Sequence, residues 1–126
     1  MDYPGRQLKL AQELDRHGVS AILVTHLPNI RYLCGFTGSA GVLAGLAGKD
    51  TKLTLTFFTD GRYSEQARNE VHGAKVVIAK GPALASAAEW LAARQQRGME
   101  VGFEAEHMSV ASRSAVARAP CTQAAR

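Results

Sequence analysis

Val42-Leu43-Ala44-Gly45-Leu46 and Leu53-Thr54-Leu55-Thr56-Phe57-Phe58 are short apolar runs separated by Ala47-Gly48-Lys49-Asp50-Thr51, and how they pair decides the fold. The joining segment is of hairpin length and carries Gly and Asp, which accept the backbone angles of a tight reversal. The two runs are therefore expected to be antiparallel strands. Beyond them, Asp60 stands where a side-chain oxygen can accept from the free N–H groups of a helix start, and Tyr63, Ala67 and Val71 recur along one stripe. Arg62, Gln66 and Asn69 then fall toward water or a partner. Lys75 to Ala79 reads as another strand, and Gly81-Pro82 punctuates the chain before a helix marked by Leu84, Ala88 and Leu91 and ended by Gly98. Arg94 and Arg97 suit the negative end of that helix. Val101-Gly102-Phe103 supplies one more strand, and a weaker helical pattern runs from Val110 to Arg118.

Toward the N-terminus, Leu8, Ala11 and Leu14 recur at helical spacing between Arg6 and His17, and Gly18 fits the left-handed position after a helix. Val19 to Thr25 contains Ala21-Ile22-Leu23-Val24, an apolar run suited to a strand buried on both faces. Pro28 can open a short helix because its missing N–H costs nothing in the first turn, and Gly35 can close it. Hairpins give antiparallel pairs and helical crossovers give parallel ones, so this order predicts an α/β layered domain with a mixed sheet flanked by helices.

At 126 residues, 46% hydrophobic and 21% charged, the chain has the size and composition of one folded domain. No apolar run approaches the ~20 residues needed to cross a bilayer, and Met1-Asp2-Tyr3-Pro4 lacks the basic-then-apolar order of a signal peptide. A cytoplasmic protein with no membrane partner is expected. Cys34 and Cys121 form no CxxC pair, so free thiols are expected. The formal charge of +4 is spread along the chain, with acidic residues interleaved as in Glu65-Gln66-Ala67-Arg68-Asn69-Glu70. That pattern suits a solvated helix face better than a nucleic-acid patch.

Gly35-Phe36-Thr37-Gly38-Ser39-Ala40-Gly41 is glycine-rich, but it follows a helix and precedes a strand. Dinucleotide cradles require the reverse order, so a structural turn is expected. Asp60-Gly61-Arg62-Tyr63 sits at a strand-to-helix junction, where a single carboxylate without a positioned partner cannot divide acid and base roles. In an extended segment Glu104 and Glu106 share one face and His107 takes the other, so they do not form a local metal site. His17, His26 and His72 lack ligand spacing, and Ser39 is not in a GxSxG elbow.

The run Leu27-Pro28-Asn29-Ile30-Arg31-Tyr32-Leu33-Cys34-Gly35-Phe36-Thr37-Gly38-Ser39 is followed by Thr59-Asp60-Gly61-Arg62-Tyr63 and Gln66-Ala67. Val76-Val77-Ile78, Glu89-Trp90-Leu91 and Val101-Gly102-Phe103-Glu104-Ala105-Glu106-His107-Met108 continue the order. Together these segments, from Arg6 to Val110, resemble the N-terminal domain of the creatinase, aminopeptidase P and prolidase family. The resemblance implies a ribonuclease-H-like α/β domain over residues 1–126. In complete members it precedes a larger "pita-bread" catalytic domain, which is expected to be absent from this chain. There aspartates, glutamates and a histidine hold divalent ions, manganese, cobalt or zinc, so no metal and no catalytic group is expected here. After Met108 the family has a further apolar strand, whereas Ala119-Pro120-Cys121-Thr122-Gln123-Ala124-Ala125-Arg126 offers no strand-like run.

The same resemblance implies a non-catalytic assembly and substrate-gating domain of a Xaa-Pro metallopeptidase, an aminopeptidase or a dipeptidase, inactive by itself. Its partners would be the catalytic domain, a second copy in a homodimer, and a proline-containing peptide met only through the parent enzyme. Asn29, Tyr32 and Phe36 recur at spacings of three and four, with Arg31 beside them. They are the candidates for contact with the dimer partner or its substrate, Arg31 through the carboxylate-matching geometry of its guanidinium. Asp60, Gly61, Arg62 and Tyr63 are the candidate structural motif. A stand-alone structural or regulatory dimerisation domain is one alternative. A small nucleic-acid-binding or nuclease domain is another, disfavoured because Asp60 lacks acidic companions.

Overall fold

The computed structural model describes residues 2–47 and 53–94 with their side chains, and 100–104 and 116–120 as backbone strands. The elements run α1 (Tyr3–Arg16), β1 (Ala21–Val24), α2 (Leu27–Cys34), β2 (Val42–Ala47), β3 (Leu53–Thr59), α3 (Ser64–Glu70), β4 (Ala74–Ile78), α4 (Ala83–Ala93), β5 (Glu100–Glu104) and β6 (Val116–Pro120). A 3-10 turn, Gly61–Tyr63, leads into α3. The strands form one mixed sheet in the order β4-β3-β2-β1-β5-β6. The expected hairpin is present, with β2 antiparallel to β3 from Val42 opposite Phe58 to Ala47 opposite Leu53. The helical crossovers give the parallel pairs, β3 with β4 and β1 with β5.

Strand periodicity sorts side chains into two cores. Ile22 and Val24 of β1, Leu43 of β2 and Leu55 and Phe57 of β3 pack with Leu10 and Leu14 of α1, Ile30, Leu33 and Cys34 of α2, and Ala67 of α3. The alternate residues Ala21, Leu23, Val42, Ala44 and Phe58 turn to the other face and meet Ala87 and Leu91 of α4. Period two in the strands thus places α1, α2 and α3 on one side of the sheet and α4 on the other. Tyr63 and Val71 pack against the first core around Ala67, as their stripe predicted.

Some expectations are corrected. α1 begins at Tyr3 rather than Arg6, because the Asp2 carboxylate accepts from Gly5 N and Pro4 occupies the first turn. Its buried residues are Leu10, Ala11 and Leu14, whereas Leu8 is 47% exposed. In α4 the inward residues are Ala87 and Leu91, and Leu84 is 52% exposed. The helix expected from Val110 to Arg118 gives way, from Val116 onward, to β6, which also includes Ala119 and Pro120 where no strand was expected. β5 provides the antiparallel partner for these residues, and pairing overrides their low strand propensity. Pro120 is accommodated at the last pair of the ladder, opposite Glu100. Arg97, Gly98, Glu106, His107, residues 110–115 and Cys121 lie outside the described residues.

Phe57 is fully buried and its ring lies 4.5 Å from that of Phe36. Truncating it to alanine removes this ring contact between β3 and the loop after α2. In urea unfolding, Phe57→Ala should lose about 3–5 kcal/mol, whereas Leu84→Ala should stay within about 0.5 kcal/mol of wild type.

Candidate functional site

The sequence motifs converge where α2 ends. Its final carbonyls have no partners within a regular helix and must find them elsewhere. Arg31 O accepts from Gly35 N at 2.9 Å and Cys34 O from His72 N at 2.8 Å. Tyr32 O accepts from Arg6 Nη1 at 2.9 Å, and Leu33 O from Gln7 Nε2 at 3.0 Å. The Gln7 amide also donates to His72 O at 2.9 Å. Gly35 lies at φ 90°, in the left-handed region, and a Cβ there would come within 2.9 Å of Glu70 O.

The glycine-rich segment is a structural turn locked by side chains. The Glu70 carboxylate accepts from Thr37 N at 2.8 Å and from Thr37 Oγ1 at 2.9 Å. Gln66 Nε2 donates to both Glu70 Oε1 and Thr37 Oγ1, each at 3.2 Å. Partial burial raises the Glu70 pKa, but the Thr37 and Gln66 hydrogen bonds and nearby Arg31 outweigh it and hold the carboxyl below its ordinary 4.5. Gln66, expected to face water or a partner, instead reaches this loop of its own chain. The Glu65–Glu70 stretch is thus more than a solvated face. Further along the loop, Ser39 Oγ meets Tyr63 OH, and the buried Thr59 hydroxyl donates to Ala40 O at 2.7 Å. At Gly38 a Cβ would fall 2.3 Å from Phe36 Cζ and 3.0 Å from Tyr63 Cδ1, so the aromatic packing excludes any larger residue.

Of the Asp60-Gly61-Arg62-Tyr63 motif, Tyr63 touches this loop, while Gly61 and Arg62 are exposed. Asp60 Oδ1 accepts from Arg62 N at 2.9 Å and Nε at 3.0 Å, while Oδ2 accepts from Nη2 at 2.9 Å. The Arg62 hydrogen bond lowers the Asp60 pKa. The Arg62 guanidinium lies 5.2 Å from the Tyr63 ring centroid, and Tyr63 meets Phe36 edge-on at 5.7 Å. Asp60 caps the 3-10 turn rather than α3 itself.

Of the α2 candidates, Asn29 and Phe36 are each 1% exposed and belong to the interior. Tyr32 is half-buried, with the Arg6 guanidinium 4.3 Å from its ring centroid. Arg31 is exposed and stands near the Glu70 carboxylate. Among the four, Arg31 and part of Tyr32 reach the surface. Arg6, Gln7, Thr37 and Glu70 were not singled out from the sequence. The spacing of Gln66 and Glu70 on one helix face was the only local signal for any of them.

His17 Nε2 lies 3.0 Å from Glu13 Oε1, and His72 stacks on Tyr3 at 4.8 Å. Among the described residues no three His, Cys, Asp or Glu side chains converge as a metal ion requires. The Asp60 and Glu70 carboxylates are already engaged by hydrogen-bond donors, so the described residues do not fit a divalent-ion centre. Cys34 is a free, buried thiol, and burial pushes its pKa up to about 11 despite a backbone hydrogen bond from Phe36. No helix among the described residues is long and apolar enough to cross a membrane.

The family model described as the creatinase/prolidase N-terminal domain matches residues 6–123. The chain belongs to that family. The peptidase YqhT of Bacillus subtilis is 36% identical over 102 residues, a match covering 80% of this chain and 27% of the relative. Among solved structures, the creatinase/prolidase-like N-terminal domain of a Corynebacterium diphtheriae protein described as a metallopeptidase is 34% identical, with a TM-score of 0.67, covering 88% of this chain and 82% of that one. The Xaa-Pro dipeptidase of Bacillus anthracis is 26% identical with a TM-score of 0.69, and the match covers 98% of this chain and 30% of that one. The mixed α/β class expected from the sequence is therefore the class of these neighbours. The chain spans about a quarter of the length of the Bacillus subtilis relative.

A carboxylate whose folded-state pKa is depressed stabilises the fold above its ordinary pKa, and that contribution is lost as pH falls through the folded value. Glu70 should therefore support stability from neutral pH down to 4.5 and lose that role below it. Glu70→Ala should cost about 1 kcal/mol at pH 7, the low end for charge-assisted bonds at a partly solvated site. The gap from wild type should narrow as urea titrations move below pH 4.5. For Cys34, a thiol-specific reagent at pH 7.5 should leave its peptide unlabelled in the native protein and label it in urea, read by mass spectrometry.

Proposed function

We propose that this chain is the non-catalytic assembly and substrate-gating domain of a cytoplasmic Xaa-Pro metallopeptidase, aminopeptidase or dipeptidase, working beside a separate catalytic domain. The family match over residues 6–123 carries this reading, together with relatives described as peptidases and a Xaa-Pro dipeptidase. The site's geometry supports it. A loop held by Glu70, Tyr63 and Thr59 forms a stiff platform, and exposed Arg31 projects beside it from α2. A guanidinium on a fixed helix can meet the carboxylate of a short peptide through two parallel hydrogen bonds. Half-buried Tyr32 would supply the apolar wall beside it, and Asn29 and Phe36 would hold that wall from below. The metal ions and the acid–base groups belong to the catalytic partner, and a homodimer would bring this surface to the neighbouring subunit's substrate.

Two measurements test the reading. The isolated chain, incubated with a Xaa-Pro peptide and manganese, should release no product above background, and chelator-sensitive turnover by homogeneous protein would overturn the non-catalytic assignment. In an enzyme carrying this domain joined to its catalytic domain, Arg31→Ala should raise KM for short peptides about tenfold, the loss of one charge-assisted contact. Metal content and circular dichroism should be unchanged. An unaltered KM, kcat and dimerisation constant would reduce Arg31 to a solvated surface residue.

A further inference from the structure

At the edge of the sheet, β4 has, among the described residues, a strand neighbour on one side only, β3. Ala79, just past its end, donates its N–H to Thr59 O at 2.7 Å, so the backbone of Ala79 points into the sheet. The N–H and C=O of one strand residue leave in the same direction, and the direction alternates along the strand. The register is continuous from Ala74 to Ile78. Val77 and Lys75 therefore also bond toward β3, while Ala74, Val76 and Ile78 direct their N–H and C=O groups outward. Among the described residues none of these outward groups has a hydrogen-bond partner. Val76, Val77 and Ile78 are β-branched and partly exposed, and β4 contains no proline. Such an edge is a template for an added strand.

Charge selects the occupant. Lys75 on the strand and Lys80 just beyond it are exposed, and neither has an ion-pair partner among the described residues. From Val71 to Ala88 the chain contains no Asp or Glu. A second copy of β4 would bring the same lysines to this edge, whereas an acidic strand would meet them with opposite charge. We infer that β4 is a docking edge for an extended acidic segment of another polypeptide, held by backbone pairing at Ala74, Val76 and Ile78 and by carboxylates on Lys75 and Lys80. This surface is separate from the Arg31 platform and stands independently of the peptidase reading.

The test titrates the 126-residue protein at low salt into fluorescein-labelled hexapeptides, Ac-EVTVTE-NH2 and Ac-KVTVTK-NH2, whose charges are five residues apart like Lys75 and Lys80, and follows anisotropy. The acidic peptide should bind about tenfold more tightly, the effect of two exposed ion pairs. That preference should reverse in favour of the basic peptide in the Lys75→Glu/Lys80→Glu variant and vanish in about 0.5 M salt. Versions of the acidic probe N-methylated at alternate residues, in the two possible registers, test the pairing without touching the protein. One register should retain binding and the other should lose it, because only alternate N–H groups face the edge. Binding by both registers, equal binding of acidic and basic peptides, or no binding at about 1 mM would overturn the proposal. So would a sedimentation dimer of the wild type that disappears in Val76→Pro while circular dichroism is unchanged, since that assigns the edge to a second copy.

Discussion

A helix that ends inside a packed layer must find partners for its last carbonyls away from water, and each one left unmet costs about 1–3 kcal/mol. In this chain the end of α2 meets that demand with four different donors: Gly35 N, the Arg6 guanidinium, the Gln7 amide and His72 N. Two come from α1 and one from the segment entering β4. The positions of α1, α2 and the edge of the sheet are thereby coupled through one helix terminus. The Arg6 guanidinium couples them twice, since it also lies over the Tyr32 ring. The left-handed turn at Gly35 follows from the same constraint, because the chain must reverse there without a side chain that would strike Glu70 O.

The loop that leaves this terminus is held by polar contacts on both sides. Glu70 grips it through Thr37, and Tyr63 and Thr59 hold it at Ser39 and Ala40. Beneath it, Phe36 sits between Phe57 and Tyr63. A platform built this way is rigid, and its carboxylates are committed to structure: Glu70 to Thr37 and Gln66, Asp60 to Arg62. Both are held ionised below their ordinary pKa, which suits an anchor and not a group that must exchange protons near neutral pH.

The two faces of the sheet divide labour in a similar way. One face carries α1, α2 and α3, and so carries the whole loop and its locks. The other meets α4, where Trp90 packs edge-on against Phe58 at 6.0 Å and Arg94 lies over Trp90 at 4.3 Å. The loop and the edge strand β4 are thus set by different parts of one framework: a helix end for the first, the strand order for the second.

The hairpin of β2 and β3, the doubly buried β1 and the short α2 were legible in the sequence, because period-two and helical patterns, Pro28, Gly35 and the hairpin loop are local signals. The Asp60 cap was legible for the same reason, as its partner Arg62 lies two residues away. Family membership was legible from the order of the motifs. What the sequence did not determine was the phase of the helices and the long-range locks. Leu8 and Leu84 look as apolar as Leu10 and Leu91, and only the surfaces against which α1 and α4 pack decide which of them turn inward. β6 exists because β5 offers it a ladder. Glu70 and Thr37 are 33 residues apart, and Arg6 and Tyr32 are 26 apart. Local propensity reaches one or two turns along the chain, so contacts at such separations, and the site they build, are decided only when tertiary packing brings the segments together and removes their polar groups from water.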